Sequence, residues 1–225
     1  MKNTVLVIAA HPDDELLGAG GTLVKHVAAG DTVHARILGE GVTSRDTHDT
    51  ANISVLHSQT EKAGAIIGFS SVLFAHLPDN AFDTVSLLSI VKEVEKYIAD
   101  IKPDVVYTHH QFDLNIDHRL TSEAVMTACR PCNEHAPSKI YAFETLSSTE
   151  WQVKDERIFK PNMYVDISDT IDKKITALRE YTLEMREYPH SRSFDGVRIL
   201  SQYRGMEAGL HHAEAFCLLR EIKNI

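Results

Sequence analysis

A chain of 225 residues with 43% hydrophobic and 24% charged residues has ordinary globular composition and is long enough to bury a sizeable core. Its formal net charge of -9 disfavours broad contact with nucleic-acid backbones or anionic lipid, which needs Lys and Arg gathered on one face. The longest apolar runs fall far short of the roughly 20 residues needed to span a bilayer, and three cysteines suit a reducing compartment better than a disulfide framework.

One compact domain over residues 1–225 is expected, and because no secretory leader is legible at the start, a cytoplasmic one. Thr4 to Ala10 (TVLVIAA) is a short β-branched apolar run, the pattern of a strand covered on both faces. Apolar positions then recur at helical spacing from Glu15 to Ala29 and stop at Gly30. The unit repeats. Thr32 to Leu38 reads as a strand and Thr47 to Ile67 as a helix ended by Gly68; Val72 to Leu77 is a third strand and Thr84 to Ala99 a helix. Asp104 to Thr108, a helix over Arg119 to Cys129, and Lys139 to Leu146 continue the alternation. Tyr164 to Ile167 is expected as an edge strand, Ser168 to Glu187 as a capped amphipathic helix, and Tyr188 to Ser193 as a loop before a last helical region. Such alternation predicts a mainly parallel sheet with helices on both faces, a Rossmann-like three-layer α/β/α sandwich.

In open α/β sheets, ligands sit outside the carboxyl ends of the strands, where the strand order reverses. Those ends are polar here four times over: His11-Pro12-Asp13-Asp14-Glu15, Glu40 to Arg45, Pro78-Asp79-Asn80, and His109 to His118. Taken singly, Asp13 or Asp14 is a helix N-cap, His11 a loop histidine and His118 a helix-start residue. Together they point to a metal, because two adjacent carboxylates repel unless a cation neutralises them. Catalytic zinc takes three protein ligands and leaves a fourth position for water, so a third donor is needed, and His118 is the best placed. His109 and His110 are expected to line the site, and Glu15 to complement the helix dipole. Gly18-Ala19-Gly20-Gly21 fails as a dinucleotide fingerprint, since Leu23 occupies the third glycine position; these glycines are expected to let the first helix approach the sheet. Cys129-Arg130-Pro131-Cys132 has no second pair and reads as a helix end with free thiols.

The Ala-His-Pro-Asp-Asp-Glu segment at 10–15, with Glu40, Arg45 and Asp117-His118, resembles the PIG-L/LmbE-like family of zinc-dependent N-deacetylases along nearly the whole chain. The resemblance implies His11, Asp14 and His118 as ligands of zinc or another divalent metal, Asp13 as general base, and Asp117 as a residue that orients an imidazole or a nearby catalytic group. It also implies an N-acylated amino-sugar substrate and a homo-oligomer. Several members carry another histidine where Asn115 stands here, which leaves Asn115 as an oxyanion donor and Asp13 as both base and acid. Glu40, Arg45, Asp79 and Arg192 are candidates for substrate recognition. Two rivals stay open: a different metal hydrolase such as a phosphoesterase, and a non-catalytic sugar- or nucleotide-binding protein on the same scaffold.

Overall fold

The computed structural model describes residues 2–41 and 50–223. Its first strand, β1 (Thr4–Ala9), explains the apolar run: Val5 to Ala9 are completely buried, and their side chains alternate between two cores. Val5 and Val7 join one core, Leu6 and Ile8 the other. Side chains two residues apart share a face, so a strand with helices on both sides has no polar position to spare.

Around β1 the chain builds α1 (Asp14–Ala28), β2 (Thr32–Gly39), α2 (Thr50–Ile67), β3 (Ser71–Leu77), α3 (Leu87–Ile101), β4 (Val105–His109), α4 (Ile116–Ala128), β5 (Lys139–Phe143), β6 (Met163–Asp166), α5 (Ile171–Leu178), α6 (Phe194–Ala208) and β7 (Ala213–Glu221). The seven strands form one sheet in the order β3-β2-β1-β4-β5-β7-β6. β1 pairs in parallel with β2 on one side (Val5 to Val33) and with β4 on the other (Val5 to Val105). The strand order therefore reverses between β1 and β4, which opens a crevice above their carboxyl ends. Helices α1, α2 and α5, with Val197 of α6, cover one face; α3 and α4 cover the other. The three-layer α/β sandwich is thus as expected.

Two elements differ from the sequence reading. The helix expected over 168–187 shortens to α5, because the chain turns after Arg179 and directs Tyr181 and Glu184 toward the crevice, where Tyr181 reaches Glu15 and Glu184 reaches Arg192. Tertiary contacts there override helical propensity. The last strand, β7, was not expected: it runs antiparallel between β5 and β6, and its Ala, Glu and Leu are helix formers that conceal a strand. The segment 42–49, including the expected start of α2 at Thr47, lies outside the described residues.

The glycines of α1 set its closeness to the sheet. A Cβ at Gly18 would stand 2.2 Å from Phe143 Cδ2, and one at Gly21 2.8 Å from Ile167 Cγ2. Phe143 and Ile167 are fully buried, with nowhere to retreat. Gly18→Ala is expected to lower folding stability by about 1–3 kcal/mol despite its better helix propensity; an unchanged midpoint in urea unfolding would contradict this packing.

Candidate active site

The turn after β1 places three ionisable side chains in the crevice. Asp13 precedes α1 with φ 100°, a conformation rare for any residue but glycine, and it sits where strain must be held by its neighbours. Glu15 supplies part of that hold. Its Oε2 accepts the Asp13 backbone N–H at 3.1 Å, and its Oε1 accepts the Tyr181 hydroxyl at 2.5 Å. Glu15 is therefore a buried tie rather than a surface complement to the helix dipole, and burial pushes its carboxyl up to about 7.

Asp14 opens α1, and its Oδ2 accepts the His11 backbone N–H at 2.9 Å. The same oxygen lies 3.2 Å from His11 Nδ1 and 3.2 Å from His118 Nε2, and those two nitrogens are 3.3 Å apart. Three donor atoms from the β1 turn and from α4 thus form a nearly equilateral triangle. Bonds of about 2.0–2.1 Å at tetrahedral angles separate donors by about 3.3–3.4 Å, so the set fits a zinc-sized ion, and a carboxylate with two imidazoles is a fitting ligand chemistry.

Each imidazole is backed by carboxylate on its far side. His11 Nε2 lies 3.0 Å from Asp117 Oδ2 and 3.4 Å from Asp79 Oδ1. Asp117 is itself held by the Phe82 backbone N–H, which donates to its Oδ1 at 3.0 Å. An N–H directed at these carboxylates leaves the His11 Nδ1 lone pair facing Asp14. His118 Nδ1 lies 3.3 Å from Asp113 Oδ1, and Asp113 accepts the hydroxyls of Ser148 and Thr149 and the Asn115 N–H. Asp79, Asp117 and His11 Nε2 also lie close enough to be a second metal-holding set. We read that set as the support of His11, since Phe82 and the Asn80 amide already donate to its carboxylates.

The charges follow from this arrangement. Burial alone would depress His11, but Asp117, Asp14 and Asp79 hold it well above the usual histidine range. His118, likewise desolvated, is pushed up to about 9 by Asp14 and Asp113. Burial would raise Asp14, yet His118 and His11 outweigh it and hold the carboxyl well below its usual range. Asp113, despite its burial, falls to about 2 beside His118 and the two hydroxyls. His109 is the neutral member: its Nε2 accepts the Ala10 N–H at 2.9 Å, burial depresses it strongly, and its ring stacks on His118 with centroids 3.9 Å apart. His110 turns away to the Arg157 carbonyl.

Asp13 stands beside the triangle without joining it. Its Oδ2 is 3.2 Å from Arg192 Nη1, which is also 3.2 Å from Glu184 Oε2. Burial pushes Asp13 well above the usual carboxylate range; Arg192 opposes this, while Asp14, Glu184 and Glu15 add to it. A cavity of about 270 Å³ opens over Asp13, Asp14, His11, His118, Asn115 and Arg192. Asn80 and Ser147 also line it, with φ 51° and 66°, so backbone strain gathers on its wall.

The structure sorts the remaining sequence candidates. Asn115 caps α4, accepting the Asp117 N–H at 2.8 Å and donating one amide hydrogen to Asn80 at 2.9 Å, so a second amide hydrogen remains for the cavity it lines. Asp79 lines the cavity but is buried against His11. Arg192 lines the cavity and commits its Nη1 to Asp13 and Glu184. Glu40 lies 3.5 Å from His76 and is not among the cavity-lining residues, and Arg45 falls outside the described residues. Asp113, Glu15, Tyr181 and Glu184 were missed as individual contributors. Asp113 and Glu15 stand in the polar strand-end segments already singled out, where their buried partners could not be foreseen; Tyr181 and Glu184 carry no local signal. The cysteines Cys129, Cys132 and Cys217 are free thiols.

Comparison with known proteins bears on this site. The profile of the family described as "PIG-L: GlcNAc-PI de-N-acetylase" matches residues 6–129. The diacetylchitobiose deacetylase of Thermococcus kodakarensis is 26% identical over 220 residues, covering 93% of this chain and 80% of that protein. The N,N'-diacetylchitobiose deacetylase of Pyrococcus horikoshii superposes with a TM-score of 0.78 at 20% identity, covering 96% of this chain and 84% of that one. The 4-carboxy-2-hydroxymuconate hydratase of Pseudomonas putida also reaches 0.78 at 20% identity, covering 100% of both chains. The structural likenesses establish the shared fold.

Protons and a cation compete for the same two imidazoles. With His118 at about 9, affinity for zinc is expected to rise at least about tenfold per pH unit below pH 9, which competition with a chromogenic chelator would measure; a flat profile would contradict the donor set. Asp117→Asn is expected to weaken zinc binding about 10–100-fold in the same assay.

Proposed function

Because the chain belongs to the PIG-L/LmbE-like family, we propose that all 225 residues form one catalytic domain that hydrolyses the N-acetyl or other N-acyl amide of an amino-sugar conjugate. The observation that carries this reading is the triangle of His11 Nδ1, Asp14 Oδ2 and His118 Nε2, with edges of 3.2–3.3 Å and the buried carboxyl of Asp13, which is not part of the triangle, beside it. The deacetylase activities in the names of the two chitobiose enzymes support the same chemistry.

His11, Asp14 and His118 would hold the divalent ion, zinc in the first place. When bound there, the ion supplies Lewis acidity that lowers the pKa of water and polarises the amide carbonyl. Asp13 takes the proton of the attacking water. Its burial favours the protonated form that results, while Arg192 opposes that shift and favours the ionised form a base needs. The same carboxyl then passes the proton to the nitrogen of the leaving amine, which completes one acid–base cycle on a single side chain. The spare amide hydrogen of Asn115 faces the developing oxyanion, while Asp117 and Asp113 keep the two imidazoles oriented.

The phosphoesterase rival is less well supported. Two-metal phosphoryl sites hold their ions about 3.5–4 Å apart, usually across bridging carboxylates, whereas among the described residues the two candidate sets meet only at His11, through opposite ring nitrogens and with no shared carboxylate. A pure binding protein has no need of a strained, buried carboxyl adjacent to the donor triangle. The hydratase on the same fold shows why the reaction must be argued from the site.

Asp13→Asn is expected to cut kcat for acetate release from N-acetylglucosamine conjugates by about 10²–10⁴ while leaving the bound metal in place. Chelation is expected to abolish turnover and added zinc to restore it. Undiminished turnover by the Asp13 variant would remove the base on which the mechanism rests.

A further inference from the structure

The chain has a single tryptophan, and it is left in water beside the cavity. Trp151 is 54% exposed, although it ends a short 3₁₀ turn (Thr149–Trp151) whose preceding residues Ser147 and Ser148 line the cavity. The turn is tightly held. Thr149 donates to Asp113 and accepts the Thr145 N–H at 2.8 Å, the Glu150 carboxylate accepts the N–H groups of Ser147 and Ser148, and Trp151 N donates to the Ser148 carbonyl at 3.1 Å. On its other side the indole meets His190 edge-on, with ring centroids 5.7 Å apart, and His190 Nδ1 accepts the backbone N–H of Arg192, whose side chain lines the cavity. The ring thus joins the two segments that carry the cavity-lining Ser147, Ser148 and Arg192, with about half of the residue left exposed.

A cavity of about 270 Å³ is at the small end for ligand pockets and suits one acylated sugar ring. Whatever that sugar is joined to must lie at the mouth. A pyranose presents polar hydroxyls at its rim and apolar C–H groups on its faces, and a rigid, half-exposed indole offers the matching flat surface at little entropic cost. We propose that Trp151 is a specificity-determining residue: it stacks against a second pyranose ring, so the substrate is an N-acylated amino sugar linked to another sugar rather than a free monosaccharide. This rests on the amide-hydrolase reading above, but it concerns binding and can be measured without turnover.

The single tryptophan makes the test direct. The emission of the zinc-loaded protein is titrated with N-acetylglucosamine, N,N'-diacetylchitobiose and an aryl N-acetylglucosaminide, and acetate release is followed in parallel. The disaccharide is expected to change the emission at concentrations at which the monosaccharide does not. Trp151→Ala is expected to reduce the disaccharide-to-monosaccharide ratio of kcat/KM about tenfold, mainly through KM, and Trp151→Phe to recover most of it. An emission change with the disaccharide but no acetate release from any sugar would uphold the stacking site and sink the hydrolase reading. Acetate release with an unchanged ratio in Trp151→Ala would do the reverse. A response to the aryl glycoside alone, or to none of the three ligands, would overturn the second-sugar site.

Discussion

Six carboxylates among the described residues, those of Asp13, Asp14, Glu15, Asp113, Asp117 and Glu184, are each at most 4% exposed within one crevice, and everything around them answers that concentration of buried negative charge. An isolated buried carboxylate is expensive, so each must be neutralised, hydrogen-bonded or paired. Asp14 is paired with the imidazoles of His118 and His11, Asp113 with two hydroxyls and His118, and Asp117 with His11 and a backbone N–H. Glu15 receives Tyr181, and Asp13 receives Arg192. The arrangement could hold a cation, and imidazoles, a guanidinium, hydroxyls and backbone N–H groups already compensate the carboxylates.

This compensation ties distant parts of the fold to the crevice. Tyr181 and Glu184 reach it only because the chain leaves helical geometry after α5. The far side of α1 is fixed in a related way. Glu214 of β7 accepts the N–H groups of Gly21 and Thr22 and pairs with Lys174 of α5 at 2.6 Å, and Lys174 also donates to the Leu17 carbonyl. Breaking one side of such a buried pair leaves the other uncompensated. The helix whose first residue is Asp14 is thereby held by the sheet, α5 and β7 together, which keeps a strained turn at Asp13 in one conformation.

Fold and chemistry remain separable. A deacetylase and a hydratase superpose on this chain with the same TM-score, as expected when a sheet-edge crevice can hold different side chains without altering the layers beneath.

The amino-acid sequence by itself determined the alternation of strands and helices, the two-faced burial of β1, and the placement of His11, Asp13 and Asp14 on a strand-end turn. These are legible because periodicity and turn chemistry act between near neighbours. It also placed His118 across the strand-order reversal, since parallel crossovers permit few arrangements. The tertiary structure alone decided that Arg192 serves Asp13 and Glu184, that Glu40 faces His76, that Asp113 supports His118, and that Glu15 is a buried tie. The strand β7 belongs to the same class, because its pairing partners, rather than its helix-forming residues, make it a strand. Contacts across 107 residues, as between His11 and His118, or 179, as between Asp13 and Arg192, leave no periodic trace in the chain. They exist only once the layers have closed and each buried charge has found its counterpart.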